Sequence, residues 1–315
     1  MTQSLFRRAV GRVRRDWHRA RFEAVARRVH DTPALRMTGE TPVFLSQLCE
    51  RDVTGYLLAI KSLYRRIGAG RVCIVDDGSL TAGSRGLLAR HVPALEFVDI
   101  GGIDTGPCPR GGTWERLCRI VEMARERYVI QVDADTLTVG DVPEVLDCVR
   151  QGRSFLLGTD SGQAVAPAAE AAAMARGWME RYGWTELPLE AEAALDRLPD
   201  AQRVCYVHAS SGFAGFAPGA VRIEDLHRFS EQMTGLLGRA LWEGWGSEQI
   251  SSNYVLANAP AATVLPFPRY ACVEDAGVAD ASVFLHFLGS HRYESDLYRR
   301  FARRSLAVLA GGGGA

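Results

Sequence analysis

The sequence predicts an α/β domain built on a mostly parallel sheet, preceded by a basic helical arm. Three observations carry that expectation. Short apolar runs alternate with helix-length stretches between residues 41 and 300, the spacing that β-α-β units need. Two of those runs end in acidic clusters, Asp76-Asp77 and Asp133-Ala134-Asp135. The composition is that of a globular chain, with 47% hydrophobic and 23% charged residues among 315, enough to bury a real core. No stretch reaches the ~18 uninterrupted apolar residues of a membrane span. The opening M-T-Q-S-L-F-R-R has no apolar h-region, so no secretory signal is expected. Seven scattered cysteines, none in C-x-x-C spacing, predict free thiols in a reducing cytoplasm.

The arm covers residues 1–40. Within it, residues 1–30 hold nine arginines and two acids, a net charge of +7 in a chain whose 37 basic and 37 acidic residues balance. Phe6, Val10, Val13, Trp17, Ala20, Ala24 and Val29 recur at three-to-five spacing, a rough amphipathic helix. Such a helix suits an anionic membrane surface, placing the protein peripherally on the inner face. It equally suits packing on its own domain or on a second subunit.

The domain covers residues 41–300. Strands are predicted at Val43–Gln47, Val72–Val75, Phe97–Ile100, Tyr128–Val132 and Phe155–Gly158, with helices over Val53–Ile67 and Trp114–Arg127. Residues 164–200 are Ala-rich and punctuated by Pro167, Pro188 and Pro199, which predicts an inserted helical hairpin. Short strands follow near Val204–Val207, Thr263–Leu265 and Val283–Leu285. Residues 301–315 read as a tail ending in the flexible run Gly311–Gly314.

A bare D-x-D is expected by chance about once in a chain with this aspartate content, so context decides its meaning. Here Tyr-Val-Ile-Gln-Val runs straight into Asp133-Ala134-Asp135, and period-two geometry puts both carboxylates on one face. Converging like charges are costly unless a cation neutralises them. The alternative is a pair of solvated turn acids. Phosphoryl transfer by aspartate fits poorly: Leu137 stands where that class has Thr or Val, and Lys61 and Asp76-Asp77 lie upstream of where it needs them.

The arrangement resembles the GT-A-fold glycosyltransferases over roughly residues 41–293. Val75-Asp76-Asp77-Gly78-Ser79 is similar to the second-strand D-D-G-S of that fold, and Asp133-Ala134-Asp135 to its D-x-D. The segment His286-Phe287-Leu288-Gly289-Ser290-His291-Arg292 is similar to the H-x-x-G-x-x-K element of the retaining family of glycogenin and bacterial lipooligosaccharide galactosyltransferases. Tyr293-Glu294 stands where that family has Pro-Trp. Gly246-Ser247-Glu248-Gln249 with Asn253 resembles its G-D-Q…N stretch, and Ser211-Gly212-Phe213 its N-x-G turn.

The resemblance implies a metal-dependent transfer of sugar from a nucleoside-diphosphate donor, a UDP-sugar, to a glycan or lipid-linked acceptor, with retention favoured. Asp133, Asp135 and His286 would hold Mn²⁺ or Mg²⁺. Arg292 and Arg116 would face the diphosphate; Ser46, Asp76 and Asp77 the nucleoside; Ser211, Gly212 and Gly289 the rest of the donor. Glu248 and Gln249 would lie at the anomeric carbon or acceptor hydroxyl. Trp242 and Trp245 read as core, with sugar stacking the alternative for both; His208 is a candidate for the pocket, and His291 reads as surface. No nucleic-acid partner is expected. Two other readings share these features: a nucleotidyltransferase acting on sugar phosphates, and a GT-A-like domain that only binds a glycan or partner. The first lacks its Gly-rich basic loop at Leu45–Glu50; donor hydrolysis separates the second.

Overall fold

The computed structural model describes residues 2–160, 162, 164–273, 276–289 and 291–310. The expected flexible run Gly311–Gly314 lies outside the described residues. Numbered along the chain, the strands are β1 (Val43–Leu48), β2 (Arg71–Asp76), β3 (Glu96–Asp99), β4 (Val129–Val132), β5 (Thr136–Thr138) and β6 (Phe155–Gly158). They continue with β7 (Ala166–Pro167), β8 (Cys205–Tyr206), β9 (Ala209–Phe216), β10 (Thr263–Val264), β11 (Tyr270–Cys272) and β12 (Phe284–His286). One seven-stranded sheet has the order β10-β6-β9-β4-β1-β2-β3. Its neighbours are parallel except β9, which is antiparallel to both β4 and β6. A small sheet, β11-β12-β5, joins the large one through the link Asp133–Asp135 between β4 and β5.

Strand side chains alternate between two cores. Val43, Leu45, Cys73, Val75 and Val129 enter one; Phe44, Leu48, Val72, Ile74, Ile130 and Val132 enter the other. Helices Val53–Ile67 and Leu297–Ala310 cover the second of these faces, and Trp114–Met123, Ile223–Leu237 and Ser247–Ala257 cover the first. Strands buried on both faces are apolar throughout, which is why β1, β2 and β4 stand out in the sequence.

Three features differ from the sequence reading. Ser211-Gly212-Phe213 is no turn: it sits within β9, all eight residues of which are buried. Small residues are required there, because a Cβ on Gly215 would meet the Phe155 ring and the Tyr128 hydroxyl. The D-x-D is not strand. It forms a turn in which Thr136 donates its amide and its hydroxyl to the Asp133 carbonyl, at 3.3 and 2.9 Å. The two carboxylates therefore converge by a reversal of the chain rather than by pleat. Residues 301–310 belong to a helix that buries Phe301, Ala302, Leu306 and Leu309, so this part of the expected tail is core. The arm is helical over Thr2–Ala26 and its later half packs on the domain, with Phe22 stacked 3.8 Å from Tyr298. Its outer positions Val10, Val13 and Trp17 remain exposed.

The insert contains the helices Ala168–Tyr182 and Leu187–Ala193. All seven cysteines are free. Among the described residues no helix is long and apolar enough to cross a membrane.

Candidate active site

The strand order reverses direction around β1, and at such a switch the loops leaving neighbouring strands part to form a crevice. Asp133 and Asp135 leave β4 here. The antiparallel pairing of β12 with β5 sets His286 opposite Thr136, one residue past Asp135. His286 Nε2 lies 3.2 Å from Asp135 Oδ1 and 3.8 Å from Asp133 Oδ2. One ligand atom from each of the three residues lies within 4.8 Å of the others. Gly212 makes this possible, since a Cβ there would overlap the His286 ring.

The ring is also oriented from behind. His286 Nδ1 is 2.9 Å from Ser210 Oγ, which accepts the Gly212 amide at 3.2 Å. With Nδ1–H given to Ser210, Nε2 is the atom that faces the carboxylates and can ligate. Two carboxylates and an imidazole suit a divalent cation such as Mn²⁺ or Mg²⁺, the nitrogen favouring Mn²⁺. The residues fit that group.

In this structure three cationic side chains balance the two aspartates. Arg116 pairs with Asp133, Arg292 Nη1 lies 3.6 Å from Asp135 Oδ2, and His286 touches both. Burial alone would raise the Asp135 carboxyl, but His286 and then Arg292 outweigh it and hold the group below its usual range. For His286 burial works downward, and Asp135 overcomes it and pushes the imidazole well up.

Arg116 is 4% exposed and bridges Asp133 to Glu248, whose Oε1 accepts its Nη2 at 3.2 Å. Glu248 also accepts Thr113 Oγ1 at 3.0 Å and Ser211 Oγ at 3.2 Å. Burial raises the Glu248 carboxyl, Arg116 pulling the other way. Gln249 is half-buried on the same helical turn.

Ser46 is fully buried and donates its hydroxyl to the Val132 carbonyl at 2.6 Å, tying β1 to β4 rather than meeting a nucleoside. Asp76 is 1% exposed and spends its carboxylate on the Gly78 amide at 2.8 Å and on Arg85, so it caps the turn. Asp77 is exposed at the carboxyl end of β2, accepting the Ser79 amide at 2.9 Å. Gly289 is exposed, and Arg292 Nη1 also meets Asp52 at 3.2 Å. His208 lies beside Glu192 at 2.8 Å, Trp242 is core, and Trp245 is 77% exposed.

Sequence reasoning missed Ser210, Asp52 and Thr113. Thr113 carried the one usable signal, a non-glycine closing a Gly-rich turn. Its φ of 75° places it in the left-handed region, a strain that neighbouring structure must hold and that clusters at functional sites.

No protein-family model and no curated protein sequence matches the chain. Solved structures do. The bifunctional glycosyltransferase WbbM, in its apo form, matches with a TM-score of 0.52 at 14% identity, over 84% of this chain and 49% of its own. This chain thus spans about half the length of that protein. An active-site mutant of LgtC matches with a TM-score of 0.50 at 11% identity, over 87% of this chain and 98% of that one. Identities this low speak for architecture, and the architecture is the GT-A glycosyltransferase fold.

Proposed function

We propose that the protein is a metal-dependent glycosyltransferase that moves a sugar from a UDP-sugar to a hydroxyl of a glycan or lipid-linked acceptor. The observation that carries this reading is the Asp133–Asp135–His286 cluster at the crevice of a GT-A fold. Both likenesses reported above are to glycosyltransferases, which supports it.

In the reaction, the bond from the anomeric carbon to the diphosphate oxygen breaks and its electrons leave with the nucleotide. The acceptor oxygen bonds to that carbon and passes its proton to the departing diphosphate oxygen. Asp133, Asp135 and His286 would hold Mn²⁺ or Mg²⁺, which when bound neutralises the diphosphate and acts as Lewis acid. Arg292, already beside Asp135, adds positive charge where the leaving group develops its negative charge. Asp77 at the rim of β2 is the remaining acid for the nucleoside.

Glu248 is an internal carboxyl held by three donors, a poor base for an acceptor proton. We assign it to orienting Arg116 and Ser211 beneath the donor sugar, with Gln249 flanking the anomeric carbon. That division of labour suits retention better than inversion. A thermal-shift screen of UDP-, GDP-, CMP- and dTDP-sugars, with and without Mn²⁺, tests the reading, because a ligand that binds only the folded state raises its melting temperature by mass action. Stabilisation by UDP-sugars with Mn²⁺ alone is expected; indifference to every nucleotide sugar would refute it.

A further inference from the structure

A cleft of about 650 Å³ separates the N-terminal helix from the loop that follows β12. We propose that this cleft is a subsite for a phosphate or diphosphate ester carried by the acceptor. The word acceptor rests on the glycosyltransferase reading; the anion site itself does not.

Charge points there first. Arg14 and Arg15 form one wall, both exposed, and among the described residues neither has an ion-pair partner. His291 and Arg292 form the opposite wall. The one carboxylate among the lining residues, Glu294, is engaged by His291 Nδ1 at 3.2 Å. Arg14 and Arg15 thus offer free guanidinium donors opposite Arg292, whose own charge is shared with Asp52 and Asp135, and phosphate accepts paired guanidinium N–H donors in matching geometry.

The shape agrees. The floor is apolar, made by Phe287 and Leu297, 2% and 6% exposed. A basic rim over an apolar floor fits a phosphate joined to a hydrocarbon or sugar face, and the volume lies in the range of small-ligand pockets. Position gives the link to function. Arg292 lines the cleft while its Nη1 reaches Asp135 at 3.6 Å, and its Nε is buried without a partner. A phosphate here would sit one side chain from the D-x-D.

The test is calorimetric titration of the full chain in EDTA with inorganic pyrophosphate and with a short prenyl diphosphate. Metal-free conditions isolate the cleft from a donor site that needs a cation. Pyrophosphate should bind, and Arg14→Ala/Arg15→Ala should weaken it by at least about tenfold, the equivalent of one charged hydrogen bond. Melting temperature and Mn²⁺-dependent UDP binding should not change, and Arg14→Lys/Arg15→Lys should restore part of the affinity. Tighter binding of the prenyl ester assigns the phosphate to a lipid-linked acceptor; equal binding assigns it to a soluble one, and either sustains the site. No binding in EDTA, equal binding by the alanine variant, or displacement by UDP with Mn²⁺ would overturn it. Pyrophosphate binding in a protein that ignores UDP would keep the anion site and remove the glycosyl-transfer reading.

Discussion

His286 and Gly212 act as one unit, because the ring occupies the space that a side chain on Gly212 would fill. Gly212→Ala should therefore abolish measurable Mn²⁺ binding and lower stability by about 1–3 kcal/mol, the ordinary range for overpacking. Calorimetry and thermal melting on that variant check both. His286→Ala should cut turnover by orders of magnitude, with partial recovery at high Mn²⁺. Kinetics across a Mn²⁺ series distinguish this from general damage, which added metal would not repair. Lys61 offers a pH test away from the site. It is 1% exposed on helix Val53–Ile67, donating to Thr32 Oγ1 at 2.5 Å and the Pro33 carbonyl at 2.7 Å, with His91 Nδ1 3.0 Å away. Burial lowers its ammonium from 10.5 to about 8. Between those values the unfolded chain binds a proton that the folded chain has released, so this group makes stability rise with pH. From pH 7 to 10, wild type should gain about 2 kcal/mol relative to Lys61→Met in paired urea titrations. A pH-independent difference between the two proteins would contradict it.

At the scale of elements, the N-terminal helix divides into a docked half and an exposed one. Phe22 lies 4% exposed against Tyr298, whereas Val13 is 69% exposed. Phe22→Ala should cost about 3–5 kcal/mol in denaturant unfolding, while Val13→Ser stays within about 0.5 kcal/mol. Similar effects from both would mean that the helix does not dock. The same scale explains what was legible in the sequence. β1, β2, β4 and helix Val53–Ile67 were readable because burial on both faces, or an amphipathic period, leaves a local pattern. β9 was not, for its Ala-Ser-Ser-Gly composition answers to the Phe155 and His286 rings packed on it, partners distant in sequence. Residues 301–310 read as a tail although their buried positions share one face of helix Leu297–Ala310, because four arginines on the opposite face separate those positions along the sequence.

For the whole molecule, the acidic link and His286 could be found by motif and order, yet not how their charges are balanced. That depends on Arg116 crossing from helix Trp114–Met123 to Asp133 and Glu248, a contact no local pattern encodes. Ser46 and Asp76 misled for the converse reason: each sits at a strand position typical of ligand contact, and each is consumed by the scaffold. The account rests on a cation joining the two aspartates to a nucleotide diphosphate. Titration of UDP into the protein with Mn²⁺, repeated in EDTA and with Asp135→Asn, tests this most directly. Binding should appear with Mn²⁺ and vanish in EDTA and in the variant; UDP affinity that survives without metal would contradict the account.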